Sequence, residues 1–182
     1  MSTCLFLLLT RFIVLGWSFG GVLAFEVSRQ LARHGKPVKG LILVDSPVPI
    51  NHQALPEPIV SFILAKGDSP TTSRVVQEAR ARIRDQFLTH AAMLQKYSPA
   101  PMQGNSPPCV FVRCVQTMDT ERLCGTSYPW LNDVEANKAS ILQWEKLLGR
   151  AIPVLEVDCN HFGAFDASAV RFLPFLQVYT ES

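Results

Sequence analysis

Gly16-Trp17-Ser18-Phe19-Gly20-Gly21 is the tightest constraint on this chain, because it lies between an apolar strand pattern and a helical one. Phe12-Ile13-Val14-Leu15 is short, apolar and rich in β-branched residues, which predicts a buried strand over 12–15. From Val22 to His34 apolar residues recur at helical spacing and Gly35 is a suitable stop, so a helix is expected over 19–34. A strand that turns into a helix within G-x-S-x-G turns very tightly. Side chains at Gly16 and Gly20 are expected to collide with the neighbouring strand and helix. Ser18 is then held in a strained conformation with its hydroxyl exposed, which makes it a candidate nucleophile. The backbone N–H of Phe19, at the helix start, is expected to face a developing oxyanion. The bland alternative is a close-packed glycine turn that carries a bystander serine.

Short apolar runs at 12–15, 40–44, 110–115 and 152–157 predict strands, and the segments 19–34, 140–148 and 167–179 predict helices. Strands alternating with helices specify the α/β class, with a parallel sheet covered on both faces. A long insertion over 47–108 separates the second strand from the third. Its start is proline-rich, amphipathic helices are expected at 59–64 and 75–97, and Pro99, Pro101, Pro107 and Pro108 form the exit. A helical insertion after a strand's carboxyl end is where a substrate lid would sit.

A nucleophilic serine needs a base, and the base needs an orienting acid. The chain has four histidines. His34 is expected at a helix C-terminus, His52 in the proline-rich loop and His90 on the inserted helix. His161 directly follows the last strand, where α/β sheets place their chemistry, and is the candidate base. Two acids compete. Asp45 ends the strand that follows the elbow helix, and Asp119 follows the next strand. Asp45 has the tighter local argument, because an apolar strand running straight into an aspartate fixes that carboxylate at the sheet edge. Asp158 is too near His161 in sequence to orient it easily.

The net charge of +2 comes from scattered basic residues, and the cluster Arg74, Arg80, Arg82 and Arg84 is interrupted by Glu78 and Asp85. It reads as a solvated helix face, so no nucleic-acid partner is expected. Five cysteines without C-x-x-C spacing support neither a metal site nor a disulfide framework, and a reducing, cytoplasmic setting fits them. No nucleotide-binding glycine motif is present, so no cofactor is expected. The apolar run from Cys4 to Leu9 is too short to span a bilayer and lacks the flanks of a signal peptide. It is read as a short helix or strand extension, or as a start inside a longer protein.

Gly16 to Gly21, Ala24-Phe25-Glu26 and Gly40-Leu41-Ile42-Leu43-Val44-Asp45-Ser46-Pro47 together resemble the type I thioesterase domains that terminate nonribosomal peptide and polyketide synthases. Fungal examples, especially those of single-module synthetase-like enzymes, are the most similar. The interval from Ser18 to Asp45, Trp144 to Gly149, and Asn160-His161-Phe162 are similar to that family's pattern. The resemblance implies an α/β-hydrolase fold with Ser18 as nucleophile, Asp45 as acid and His161 as base. It also implies an acyl substrate presented on the phosphopantetheine arm of an acyl or peptidyl carrier domain. Such domains have further strands and a loop ahead of the elbow, so the chain is expected to be a partial hydrolase fold. The elbow strand would then be an open apolar edge and a surface for a homodimer. A carboxylester hydrolase with the same triad, and an inactive remnant that binds a carrier domain, are the competing readings.

Overall fold

The computed structural model describes residues 12–65, 73–102, 104 and 106–165. The apolar run from Cys4 to Leu9 and the helix expected at 167–179 lie outside the described residues. Among the described residues there are four strands: β1 (Ile13–Trp17), β2 (Gly40–Val44), β3 (Cys109–Cys114) and β4 (Val154–Val157). They form one parallel sheet in the order β1-β2-β3-β4. Helix α1 (Phe19–Arg33) joins β1 to β2, and α2 (Glu57–Ala65) and α3 (Arg74–Lys96) fill the insertion before β3. Then come α4 (Thr120–Cys124), α5 (Pro129–Asn132) and α6 (Val134–Leu148), and a 3-10 turn (His161–Gly163) follows β4.

Strand alternation sorts the core into two layers. Leu41, Leu43, Cys109 and Phe111 point to one face, where they pack with Phe25 of α1 and with Trp144, Leu147 and Leu148 of α6. Phe25 meets Trp144 edge-on, with ring centroids 5.3 Å apart. Ile42, Val44, Val110, Val112 and Cys114 point to the other face and pack with Ala164. A third cluster over the insertion joins Ile59 of α2 to Met118, Tyr128 and Leu131.

Several expectations need correction. The first strand runs over Ile13–Trp17 rather than 12–15, and among the described strands it is the edge of the sheet, as the family resemblance implied, rather than the buried strand its apolar run suggested. Ile13 is 38% exposed and Leu15 44%, because β2 is the only described strand beside them. Helix α6 starts before the expected 140. Asp133 caps it by accepting from the Glu135 N–H; in the first turn Glu135 and Lys138 are exposed, while Asn137 is buried and accepts from Arg113. The short helices α4 and α5 were not expected.

The elbow glycines divide their work differently from the expectation. A Cβ on Gly16 would lie 2.0 Å from the Gly20 carbonyl oxygen, so that glycine is required. Gly20 itself has open space where a Cβ would go. Gly21 is the second close approach, since a Cβ there would fall 1.8 Å from Ser46 Oγ. Gly16→Ala is expected to destabilise the fold by about 3 kcal/mol or more, as overpacking against backbone does. Gly20→Ala is expected to be neutral or stabilising by up to about 1 kcal/mol, the helix-propensity difference. Chemical denaturation of the two variants checks the contrast.

Candidate active site

Sheet register brings two of the candidate residues together before any side chain is considered. Trp17 pairs with Val44 across β1 and β2, so Ser18 and Asp45 step off neighbouring strands at one level. Both then take positive φ, 53° at Ser18 and 42° at Asp45, a region that non-glycine residues rarely occupy. The Ser18 N–H donates to the Val44 carbonyl at 3.0 Å, and the Asp45 N–H donates to the Val112 carbonyl at 2.7 Å. Those bonds hold both strained residues on the sheet. Ser18 occupies the N-cap of α1, yet its hydroxyl does not cap the helix. That hydroxyl is left for another partner.

His161 is that partner. Its Nε2 lies 3.0 Å from Ser18 Oγ, and its Nδ1 lies 2.8 Å from Asp45 Oδ2. Asp45 Oδ1 accepts from the Cys114 N–H at 3.1 Å, so both carboxylate oxygens are engaged. Asp45 is 2% exposed and His161 5%. The imidazole is also walled in by aromatic rings. Trp17 stacks on it at 5.0 Å, and Trp130 and Phe162 meet it edge-on at 4.9 Å. The Trp17 indole N–H donates to the His161 carbonyl, and Asn160 Oδ1 accepts from the N–H groups of Phe162 and Gly163. Backbone and ring are therefore fixed separately.

The other candidates separate cleanly. Asp119 is exposed and caps α4, accepting from the Arg122 N–H at 3.0 Å, so it is not the acid beside His161. Asp119 heads a short helix that Gly125 ends in the left-handed conformation. His34 is the C-cap of α1, as expected. Phe19 is the first residue of α1, so its N–H has no carbonyl within the helix to bond.

Ser18 and His161 open into a cavity of about 310 Å³. One face of α3, from Ile83 through Gln86, Phe87, His90 and Ala91 to Leu94, forms its far wall. His90 stacks flat on Phe19, with centroids 4.3 Å apart and planes 9° from parallel. His52 also lines the cavity, and burial holds its pKa below the usual imidazole value. Neither histidine was expected at the site. The signal available for His90 was its helical spacing from Phe87 and Leu94. Among the described residues, no Asp, Glu, Lys or Arg lines this cavity, and no group of three His, Cys, Asp or Glu is placed to hold a metal ion.

The wall formed by α3 is tied to α1 by one polar cluster. Glu26 accepts from Arg29 through both carboxylate oxygens, from Gln30, and from the Tyr97 hydroxyl at the end of α3. The hydrogen bond from Arg29, acting against burial, brings the Glu26 carboxyl from 4.5 down to about 2. Burial, then the Glu26 carboxylate, pushes the Tyr97 hydroxyl up.

The arrangement can polarise a serine hydroxyl and return its proton, which is the chemistry of acyl transfer. Known proteins point the same way. The family model for the thioesterase domain matches residues 10–175. Orsellinic acid synthase from Beauveria bassiana is 33% identical over 179 residues, covering 84% of this chain and 8% of that protein. The non-reducing polyketide synthase crz7 from Cladonia metacorallifera is 32% identical over 168 residues, covering 81% and 8%. The chain thus spans a small fraction of the length of these relatives. Among solved structures, the NocB thioesterase domain in covalent complex with a fluorophosphonate nocardicin G analogue superposes with a TM-score of 0.60. It is 22% identical, with 92% of this chain and 65% of that one covered. RedJ with polyethylene glycol in its active site gives 0.63 at 18% identity, covering 94% and 67%. At these identities the structural likeness establishes the α/β-hydrolase fold alone.

The Glu26 cluster generates a pH prediction. A carboxyl whose pKa falls on folding contributes stability that is present above its unfolded value and is lost as pH drops through the folded one. The stability difference between the native chain and Glu26→Gln is therefore expected in full above about pH 4.5 and to shrink as pH falls toward 2. Thermal melts of both proteins across that range check it.

Proposed function

The chain belongs to the thioesterase domain family, and from that premise we propose that it is a serine thioesterase acting on an acyl chain carried as a thioester. The observation that carries this reading is the continuous path Ser18 Oγ, His161 Nε2, His161 Nδ1, Asp45 Oδ2, with contacts of 3.0 and 2.8 Å. In the proposed cycle His161 takes the Ser18 proton as Oγ attacks the thioester carbonyl. Asp45 steadies the imidazolium that results. The Phe19 N–H, at the positive end of α1, donates to the tetrahedral oxyanion. The imidazolium then gives its proton to the departing thiolate, leaving acyl-Ser18. Water, or a nucleophile within the acyl chain, releases the product by hydrolysis or cyclisation. No cofactor enters the cycle.

The relatives are fungal polyketide synthases, which supports a polyketide-like acyl chain and secondary metabolite biosynthesis as the setting. The thioester would then be held on the phosphopantetheine arm of an acyl or peptidyl carrier domain. The cavity is suited to an uncharged acyl group, because an unpaired charge would lose hydration there without gaining an opposite charge. No described helix is long and apolar enough to cross a membrane. The four described cysteines form no disulfide among themselves, which fits a reducing cytoplasm. The inserted helices α2 and α3 serve as the lid in this reading. The open edge of β1, with Ile13 and Leu15 exposed, supports self-association through that edge. Light scattering that finds only monomer would remove that part.

The test uses a short acyl-N-acetylcysteamine thioester and a serine-directed fluorophosphonate probe. The folded chain is expected to release acid from the thioester and to carry the probe on Ser18. Ser18→Ala is expected to lose the label completely and to lower turnover by about a thousandfold or more, as loss of a triad nucleophile does. A folded native chain that neither labels nor turns over would instead favour the carrier-binding remnant. An ester turned over faster than its matched thioester would favour the carboxylester hydrolase.

A further inference from the structure

Cys114 and Cys159 play no part in the proposed cycle, yet they flank its acid and its base. Cys114 ends β3, and its N–H is the one that holds Asp45 Oδ1 at 3.1 Å. Cys159 lies two residues before His161, next to the Asn160 that caps the turn carrying the imidazole. The two sulfur atoms are 3.5 Å apart. Backbone bonds tie the same two segments: Val115 N–H donates to the Val157 carbonyl at 3.1 Å, and Gln116 N–H to the Cys159 carbonyl at 3.0 Å. No other described cysteine pair is placed in this way. We propose that Cys114 and Cys159 form a thiol oxidation site, joined to a disulfide by a peroxide, whose closure slows acyl transfer at Ser18.

The chemistry balances with hydrogen peroxide as oxidant. Cys159 is half-buried and is the thiol that a small oxidant meets first, whereas Cys114 is buried. The Cys159 thiolate attacks one peroxide oxygen and the O–O bond breaks. A sulfenic acid forms, and the leaving oxygen departs as water. Cys114 Sγ then attacks that sulfur. The S–S bond forms, and the sulfenic hydroxyl leaves with the thiol proton as a second water. Two thiols lose two electrons and the peroxide is reduced to two waters. Burial, with the Asp45 carboxylate next, pushes the Cys114 thiol up, which makes it the poorer first nucleophile and leaves the first step to Cys159; proximity at 3.5 Å then brings Cys114 into the second, intramolecular step.

Closing the bond needs a small movement with a large lever. A disulfide holds its sulfurs about 2.05 Å apart, so the pair must approach by roughly 1.5 Å. Cys114 is fixed inside the sheet, whereas Cys159 lies beyond the end of β4, so the loop before His161 yields. That loop sets the imidazole against Ser18 and Asp45. Displacing a catalytic group by about 1 Å can cost about a hundredfold in rate. The rate effect rests on the proposed role of Ser18; the bond itself does not.

The experiment treats the purified chain with hydrogen peroxide, then maps disulfides by mass spectrometry without reduction. Fluorophosphonate labelling of Ser18 and tryptophan fluorescence are followed in parallel, since Trp17 and Trp130 both touch the His161 ring. The expected result is a cross-link joining the tryptic peptides of Cys114 and Cys159. Labelling should slow at least tenfold, the emission should change, and dithiothreitol should reverse both. Cys159→Ala should label at the native rate and keep labelling under peroxide. The proposal is overturned if peroxide oxidises Cys124 without linking Cys114 to Cys159, or if the linked protein labels as fast as the reduced one. Should the reduced chain not label at all, the thioesterase reading fails. The cross-link and the reversible fluorescence change then decide this proposal by themselves.

Discussion

The close approach of β1 to the first turn of α1 is the constraint from which the site follows. Gly16 and Gly21 let backbone meet backbone and Ser46 there, at distances a Cβ would not permit. That approach leaves Ser18 at φ 53°, off the end of the strand and outside the helix. Local strain of this kind costs about 1–3 kcal/mol and persists only where its surroundings hold it. Here the holding groups can be named. Ser18 N–H is tied to Val44, and Ser46 Oγ donates to the Gly16 carbonyl. Trp144 of α6 donates its indole N–H to the Ser46 carbonyl. The buried helix α6 therefore braces the elbow from behind, through one serine.

Parallel register then does for Asp45 what the elbow does for Ser18. In an antiparallel pair the two residues would leave opposite ends of their strands. Because β1 and β2 run the same way with Trp17 opposite Val44, both functional groups emerge on one rim. His161 reaches that rim from two strands away, and the aromatic rings around it replace the hydration an imidazole would have in water. With 5% exposure it has little bulk water to compete for Nδ1, so the bond to Asp45 forms in a low-dielectric setting that strengthens it.

Much of this was legible in the sequence, for reasons specific to each residue. A G-x-S-x-G between apolar strand and helix has few foldings, and Asp45 directly after an apolar strand has one obvious place to be. The structure brings Ser18, Asp45 and His161 together where the pattern put them. What escaped was encoded weakly or only in three dimensions. Gly20 and Gly21 look alike in sequence, and only the position of Ser46 tells them apart. The composition of Ile13, Val14 and Leu15 alone reads as a buried strand, and only the family resemblance pointed to an edge there. The start of α6 was masked by polar residues, of which Glu135 and Lys138 are exposed and Asn137 is buried against Arg113. Asp119 followed a strand as Asp45 did; the sequence already favoured Asp45, and the cap geometry of Asp119 settles where its carboxylate is used.

The stack of His90 on Phe19 links the inserted helix to the elbow more directly than the cavity outline alone conveys. Phe19 bears the backbone N–H proposed for the oxyanion, so its side chain cannot shift without pulling on that donor. His90 covers its ring from α3, while Tyr97 at the far end of α3 grips Glu26 of α1. Two contacts spaced along α3 therefore bind it to one short helix, whose first residue meets the substrate carbonyl in the proposed cycle. A displacement of α3 would break a ring stack worth about 1 kcal/mol and remove the Tyr97 hydroxyl, the one donor from the end of α3 on a carboxylate that Arg29 and Gln30 of α1 also hold. The second cost is the larger, since charge-assisted hydrogen bonds are about twice as strong as neutral ones. In the proposed function an acyl chain entering beneath α3 must therefore fit the space that exists or supply contacts of comparable strength. In the proposed cycle, selection of substrate and alignment of the oxyanion donor thus depend on the same helix.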